Sequence, residues 1–433
     1  MFALLPVSLL TGNLRAVAAS SSTASDPAYT ILGNVTYQIT VTLDIANADP
    51  LNPLNVSVYA PRIKNWSADV PAGTPSIQAS TLENATPYGC DIAIFNQNDS
   101  YDNRIDYYSK LLARNFGTTV AAHTFELSTN YTTTINQLQW NNLGTHTMDE
   151  YDTNSAFYKL YTEDQPTFIT VSDPAIQAKA KEIAGADTDP AKKALDIYNW
   201  VKNNLQYVLQ PQISSSDTGE KGASWALTNL EGDCSEFSDL TVAMLRAQGV
   251  PARKITGIAL TDANGRPFSS YQKGATWDYI QSTAVGNGNF TGHAWVEYYV
   301  PGAGWVSLDP TWGNAGQDYY NKMDYLHLGT CRGEYFGSEV QPPISPEIGE
   351  FPALPMVEFQ YTGTLDYTYS LDVQVAVLES HISADTSSLS FIVIVIVLIC
   401  VIALACWLTI SIRRGKQKKR AAQQDRANFP EWK

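Results

Sequence analysis

A run of 22 residues without a charge, Phe391 to Ile412 (FIVIVIVLICVIALACWLTISI), constrains this chain more than any other feature. At about 1.5 Å per helical residue it matches a hydrocarbon core of about 30 Å. A helix apolar on every face over this length predicts a membrane span at 391–412. The next residues include Arg413, Arg414, Lys416, Lys418, Lys419 and Arg420. The tail 413–433 holds eight Lys+Arg and two Asp+Glu, net +6 in a chain of net charge -15, so the rest carries -21. The positive-inside rule puts the basic tail in the cytoplasm and the acidic bulk outside. That acid excess argues against nucleic acid as a partner, since phosphate binding needs a basic face.

Export predicts a leader. Phe2–Leu10 is apolar and Ala16-Val17-Ala18 resembles a small-residue cleavage site, so 1–20 reads as a signal sequence. Seven Asn-x-Ser/Thr sequons precede the span, at Asn34, Asn55, Asn65, Asn84, Asn98, Asn130 and Asn289. They are candidate glycosylation sites and suit an exported surface. The five cysteines (Cys90, Cys234, Cys331, Cys400, Cys406) are too scattered for a disulfide scaffold and share no Cys-x-x-Cys spacing. Cys90 and Cys331 are the pair that could join outside the cell.

Within the exported part, Val35, Tyr37, Ile39, Val41, Leu43 and Ile45 alternate with polar residues, as in a half-buried strand. Asn55–Tyr59, Asp91–Phe95 and Val120–Leu127 read the same way. Residues 27–148 therefore predict an all-β sandwich-like domain. Beyond about residue 165 the pattern turns helical, with Asp173-Pro174 and Pro190 opening two helices. After residue 335 the chain is Pro-rich, and 341–380 reads as a linker followed by a β segment next to the membrane.

The chemistry concentrates in LEGDCSEFSDLTVAMLRAQGVPARKITGIA, residues 230–259. Asp233 and Glu236 form a capping box, which predicts a helix with Cys234 at its first position. Free backbone N–H groups and the positive dipole end favour a thiolate there, below its ordinary pKa of about 8.5. A nucleophile needs a base. His293 opens HAWVEYY, Pro301–Gly304 turns the chain, and Trp305–Asp309 returns, so a hairpin brings Asp309 near His293. A carboxylate there orients the imidazole and stabilises its cation. No metal site is expected: His293 and Glu297 are about 13 Å apart along a strand, too far for one ion.

The stretches GDCSEFSDLTVAMLRAQGVPAR, GHAWVEYY and GWVSLDPTWG resemble the transglutaminase-like superfamily, related in fold to papain-like cysteine proteases. The resemblance covers about 170–330, within a catalytic domain expected over 165–335, and implies Cys234 as nucleophile, His293 as base and Asp309 as orienting acid. A β-rich N-terminus commonly accompanies this domain in membrane-anchored prokaryotic members. The candidate oxyanion donors are the Cys234 backbone N–H and Trp225. The expectation is an α+β chain: a transglutaminase-like domain preceded by an all-β sandwich-like domain, with a C-terminal transmembrane helix. The expected activity is a cofactor-free thiol enzyme acting on amide bonds of proteins or peptides, with hydrolysis slightly favoured over isopeptide cross-linking. The alternative is an inactive transglutaminase-like surface module for adhesion or peptide binding.

Overall fold

The computed structural model describes residues 28–63, 65, 76–141, 143, 146–165, 168–208, 220–261, 270–285, 292–333, 339–343 and 354–382. The signal-sequence, membrane-span and basic-tail readings, the sequon at Asn289 and most of the Pro-rich stretch lie outside these residues. Among the described residues no helix is long and apolar enough to cross a membrane.

The N-terminal part contributes β1 (Tyr29–Asn47), β2 (Leu54–Pro61), β3 (Gln78–Tyr88), β4 (Ile92–Asn98), β5 (Arg104–Leu112), a helical turn α1 (Val120–His123) and β6 (Thr124–Trp140). Then come α2 (Ala156–Leu160), α3 (Pro174–Ala184), α4 (Pro190–Asn204), β7 (Gln206–Tyr207), α5 (Gly222–Asn229), β8 (Glu231–Gly232) and α6 (Cys234–Ala247). The remainder is β9 (Ala252–Ala259), β10 (Thr276–Ser282), β11 (Gly292–Val300), β12 (Gly304–Leu308), α7 (Pro310–Asn314), β13 (Lys322–Met323), β14 (His327–Arg332), β15 (Met356–Tyr361) and β16 (Tyr367–Ile382).

Among the described residues, one sheet runs β10-β16-β1-β6-β13 with β3 also on β6, and a second runs β15-β2-β5-β4. The alternating residues of β1 all point inward, and antiparallel pairing sets Ile39 opposite Val375 and Tyr131, and Leu43 opposite Leu371 and Leu127. A register slip of one residue would turn this apolar set to the outer face, which fixes the pairing. The inner faces of both sheets close on one core that includes Val35, Val56, Val58, Tyr108 and Val375.

Three expectations change here. The β segment at 356–382 does not stand apart beside a membrane: β15 pairs with β2, and β16 pairs with β1 along nearly its whole length. In addition, β10 and β13, both from the 165–335 stretch, lie in the first sheet. The sandwich is thus assembled from distant pieces of chain. The strand read at Val120–Leu127 begins only at Thr124, because the first four residues close a helical turn.

A third sheet, β12-β11-β9-β14, carries α6 and α4 against it, and α3 and α5 pack on α6. Every residue of β9 is buried, as expected for a strand covered on both faces. Phe237, Leu240 and Met244 of α6 pack against Ile255, Trp295 and Tyr298, which fixes the helix start over the middle of the sheet.

Candidate active site

Asp233 caps α6 as its sequence predicts. Its carboxylate accepts from Ser235 N at 2.9 Å, and Glu236 Oε2 accepts from Asp233 N at 2.9 Å. Gly232 serves this box: a Cβ there would meet Glu236 Cβ at 2.4 Å, so the absent side chain makes room for Glu236 to fold back. Cys234 follows at the first helical position, half-buried. The Ala294 backbone N–H of β11, next to His293, bears on the thiol and favours its thiolate.

The acidity of the thiol differs from expectation. Burial pushes the Cys234 thiol well above its ordinary value and Asp233 adds to this, while the Ala294 N–H and Lys254 oppose it. Loss of solvent outweighs the helix end, because the helix supplies only partial charges. Asp233 itself is pushed up to about 7 by burial and then by Glu236.

His293 is 7% exposed and Asp309 is fully buried. Antiparallel pairing sets Val296 opposite Leu308, so Asp309 leaves β12 alongside the first half of β11. Asp309 Oδ1 caps α7, accepting from Thr311 N at 2.8 Å and Trp312 N at 3.0 Å. Its Oδ2 accepts from His293 Nε2 at 2.8 Å. Burial would raise this carboxyl, but the His293 charge and the hydrogen bonds from His293 and His327 hold it well below the usual range. His293 is stacked between Trp295 and Trp312, at 6.0 and 5.2 Å between ring centres. With Nε2 spent on Asp309, Nδ1 is the nitrogen left to act as base, and it makes no hydrogen bond among the described residues.

Three residues that the sequence did not single out for the site lie around it. His327 Nε2 is 3.3 Å from Asp309 Oδ2, and its Nδ1 is 2.8 Å from Asp324 Oδ1. Tyr207, exposed on β7, pairs with Gly232 two residues before the thiol. The Asp-x-x-His spacing at 324–327 was the only signal for the first two. Trp225, by contrast, lies on α5, and no hydrogen bond or ring contact joins it to Cys234, His293 or Asp309 among the described residues. Glu297 lies away from this group, paired with Arg253 at 2.6 Å.

His293, Asp309 and His327 place one ligand atom each within 4.8 Å of one another, a spacing a metal ion can use. Their donors and acceptors are already matched as a hydrogen-bonded chain, which is the simpler reading of the set. No disulfide joins Cys90 to Cys331, and the two lie in separate apolar clusters. Of the sequons, Asn65, Asn84 and Asn98 are exposed and Asn34, Asn55 and Asn130 are half-buried.

A profile of the transglutaminase-like superfamily matches residues 177–310, the stretch that holds Cys234, His293 and Asp309. An uncharacterised Haemophilus influenzae protein is 32% identical over 142 residues, which is 32% of this chain and 36% of that one. A protein-glutamine gamma-glutamyltransferase of Pseudomonas aeruginosa is 28% identical over 175 residues, 40% of this chain and 23% of that one. The chain thus spans about a third or less of the length of these two relatives. A solved structure of a candidate cysteine protease from Cytophaga hutchinsonii aligns over 81% of this chain and 93% of that one, with 14% identity and a TM-score of 0.45. Residues 177–310 thus form a domain of the transglutaminase-like superfamily.

Proposed function

We propose that this chain is a cell-surface, membrane-anchored thiol enzyme that acts on amide bonds of proteins or peptides through a thioester. One observation carries the reading. The 2.8 Å bond from His293 Nε2 to Asp309 leaves Nδ1 as the base, on the strand whose Ala294 N–H favours the Cys234 thiolate. Because the thiol rests protonated, His293 Nδ1 takes the proton as sulfur attacks the carbonyl. Asp309 stabilises the imidazolium that results. The backbone N–H of Cys234, in the first turn of α6, is placed to stabilise the tetrahedral oxyanion. His293 then returns the proton to the leaving amine or ammonia. Water releases the acid from the thioester, whereas an amine makes a new amide.

The intact site supports both outcomes, and hydrolysis is the one we favour slightly. The Pseudomonas relative's name makes a glutamine side chain the first donor to try. The uncharged run 391–412 and the net +6 tail support anchoring with the acidic bulk outside, and the sequons support a glycosylated surface. The upward push on the thiol favours the second reading, an inactive transglutaminase-like adhesion or peptide-binding module.

The test supplies a glutamine peptide and a fluorescent primary amine to the full chain. Release of ammonia or peptide fragments without amine incorporation supports hydrolysis, and incorporation supports transfer. Neither product above the level of Cys234→Ala supports the inactive module.

A further inference from the structure

We propose that His327 is a positioning residue of this site: a buried histidine clamped between Asp324 and Asp309 that holds Asp309 in place for His293 and offsets part of its charge. The proposal rests on the reading of His293 and Asp309 as base and orienting acid.

The argument begins with donors and acceptors. Both ring nitrogens of His327 face carboxylate oxygens, Nδ1 toward Asp324 Oδ1 at 2.8 Å and Nε2 toward Asp309 Oδ2 at 3.3 Å. An ionised carboxylate only accepts, so both contacts are hydrogen bonds only if both nitrogens carry hydrogen. The contacts thus describe an imidazolium. Its side chain is fully buried, where a lone cation would be costly, and the two carboxylates answer that cost. Burial lowers its pKa, but Asp324 first and then Asp309 raise it to about 9 overall. Trp312, Trp295 and Tyr319 surround the ring at 4.4, 5.0 and 5.3 Å between centres. The Tyr319 hydroxyl and the Leu326 N–H donate to Asp324 and fix the outer carboxylate.

Asp309 Oδ2 therefore receives two imidazoles. The His293 and His327 ring centres are 5.4 Å apart. Removing a cation at that distance changes the field at His293 and frees the shared oxygen for it alone. The groups that set the charge of His327 are Asp309, Asp324, His293 and Tyr319. With His327 charged, the site keeps Asp309 ionised and holds its shared oxygen toward His293.

The experiment titrates His293 by NMR in the full chain carrying ring-labelled histidine, in wild type and in His327→Gln. Expected is a His293 midpoint about one pH unit higher in the variant. Alongside, the acid limb of Cys234 alkylation by iodoacetamide moves up by a similar amount, and the rate at pH 7 falls several-fold. A His293 midpoint that does not move overturns the proposal, as does a wild-type His327 that is neutral at pH 7.5. If His327→Gln does not fold, Asp324→Asn replaces it, with an upward shift smaller in size but of the same sign. Slow alkylation of wild-type Cys234 sinks the enzyme reading alone, because the His293 titration still decides the role of His327.

Discussion

At the scale of single residues, the site is governed by what solvent exclusion does to each charge. Cys234 stands at a helix start, yet burial and Asp233 keep its proton on. Asp233, raised to about 7, changes charge in the working range. Below pH 7 it is largely neutral; above pH 7 it adds a negative charge beside the sulfur and raises the thiol further. Because its folded value exceeds the unfolded one, the stability it contributes is present at low pH and is lost as pH rises through 7. Asp233→Asn retains a good helix cap and removes that charge. Iodoacetamide labelling of Cys234 at pH 8 should then run roughly three- to tenfold faster, and an unchanged or slower rate would show that Asp233 does not control the thiol. The position of Cys234 was legible because a capping box is local. The direction of its acidity was not, since it depends on β11 closing over the sulfur, and His327 was hidden because both its partners are set by tertiary packing.

At the scale of elements, close approach of backbones decides where the site residues go. His293 sits opposite Gly257 of β9, and Gly257 faces Gly329 of β14. A Cβ on Gly257 would lie 2.0 Å from the Leu328 carbonyl oxygen, so only glycine lets β14 bring His327 in. Gly257→Ala should cost about 2 kcal/mol or more in a denaturant titration and slow Cys234 labelling through displacement of His327. Wild-type stability in that variant would mean the strands part without strain. Alternation and capping exposed β1, β2, β4, α3, α4, α6 and the β11–β12 hairpin. The stretch Val120–His123 misled because its apolar residues end in a helical turn that only the approach into β6 imposes.

At the scale of the whole molecule, β10 leaves the transglutaminase-like part between β9 and β11 and pairs with β16, while β13 pairs with β6. These crossings tie the sandwich to the site. Val375 is 1% exposed and sits between Ile39 and Trp277 on the neighbouring strands. Val375→Asp buries an unpaired carboxylate, so it should abolish the fast labelling of Cys234 and the cooperative thermal transition together. Labelling that survives loss of the sandwich would show that residues 177–310 stand alone. The pairing of β16 with β1 joins chain ends more than 300 residues apart, and strand periodicity carries no information about such partners.

The central claim is that Cys234 is a nucleophile served by His293. Its most direct measurement is the pH dependence of iodoacetamide labelling at Cys234 in wild type, His293→Ala and Asp309→Asn. The account predicts that wild-type Cys234 reacts at least tenfold faster than free cysteine near pH 7, with both substitutions removing most of that advantage. Labelling of wild type at or below the rate of free cysteine, or unchanged by His293→Ala, would contradict it.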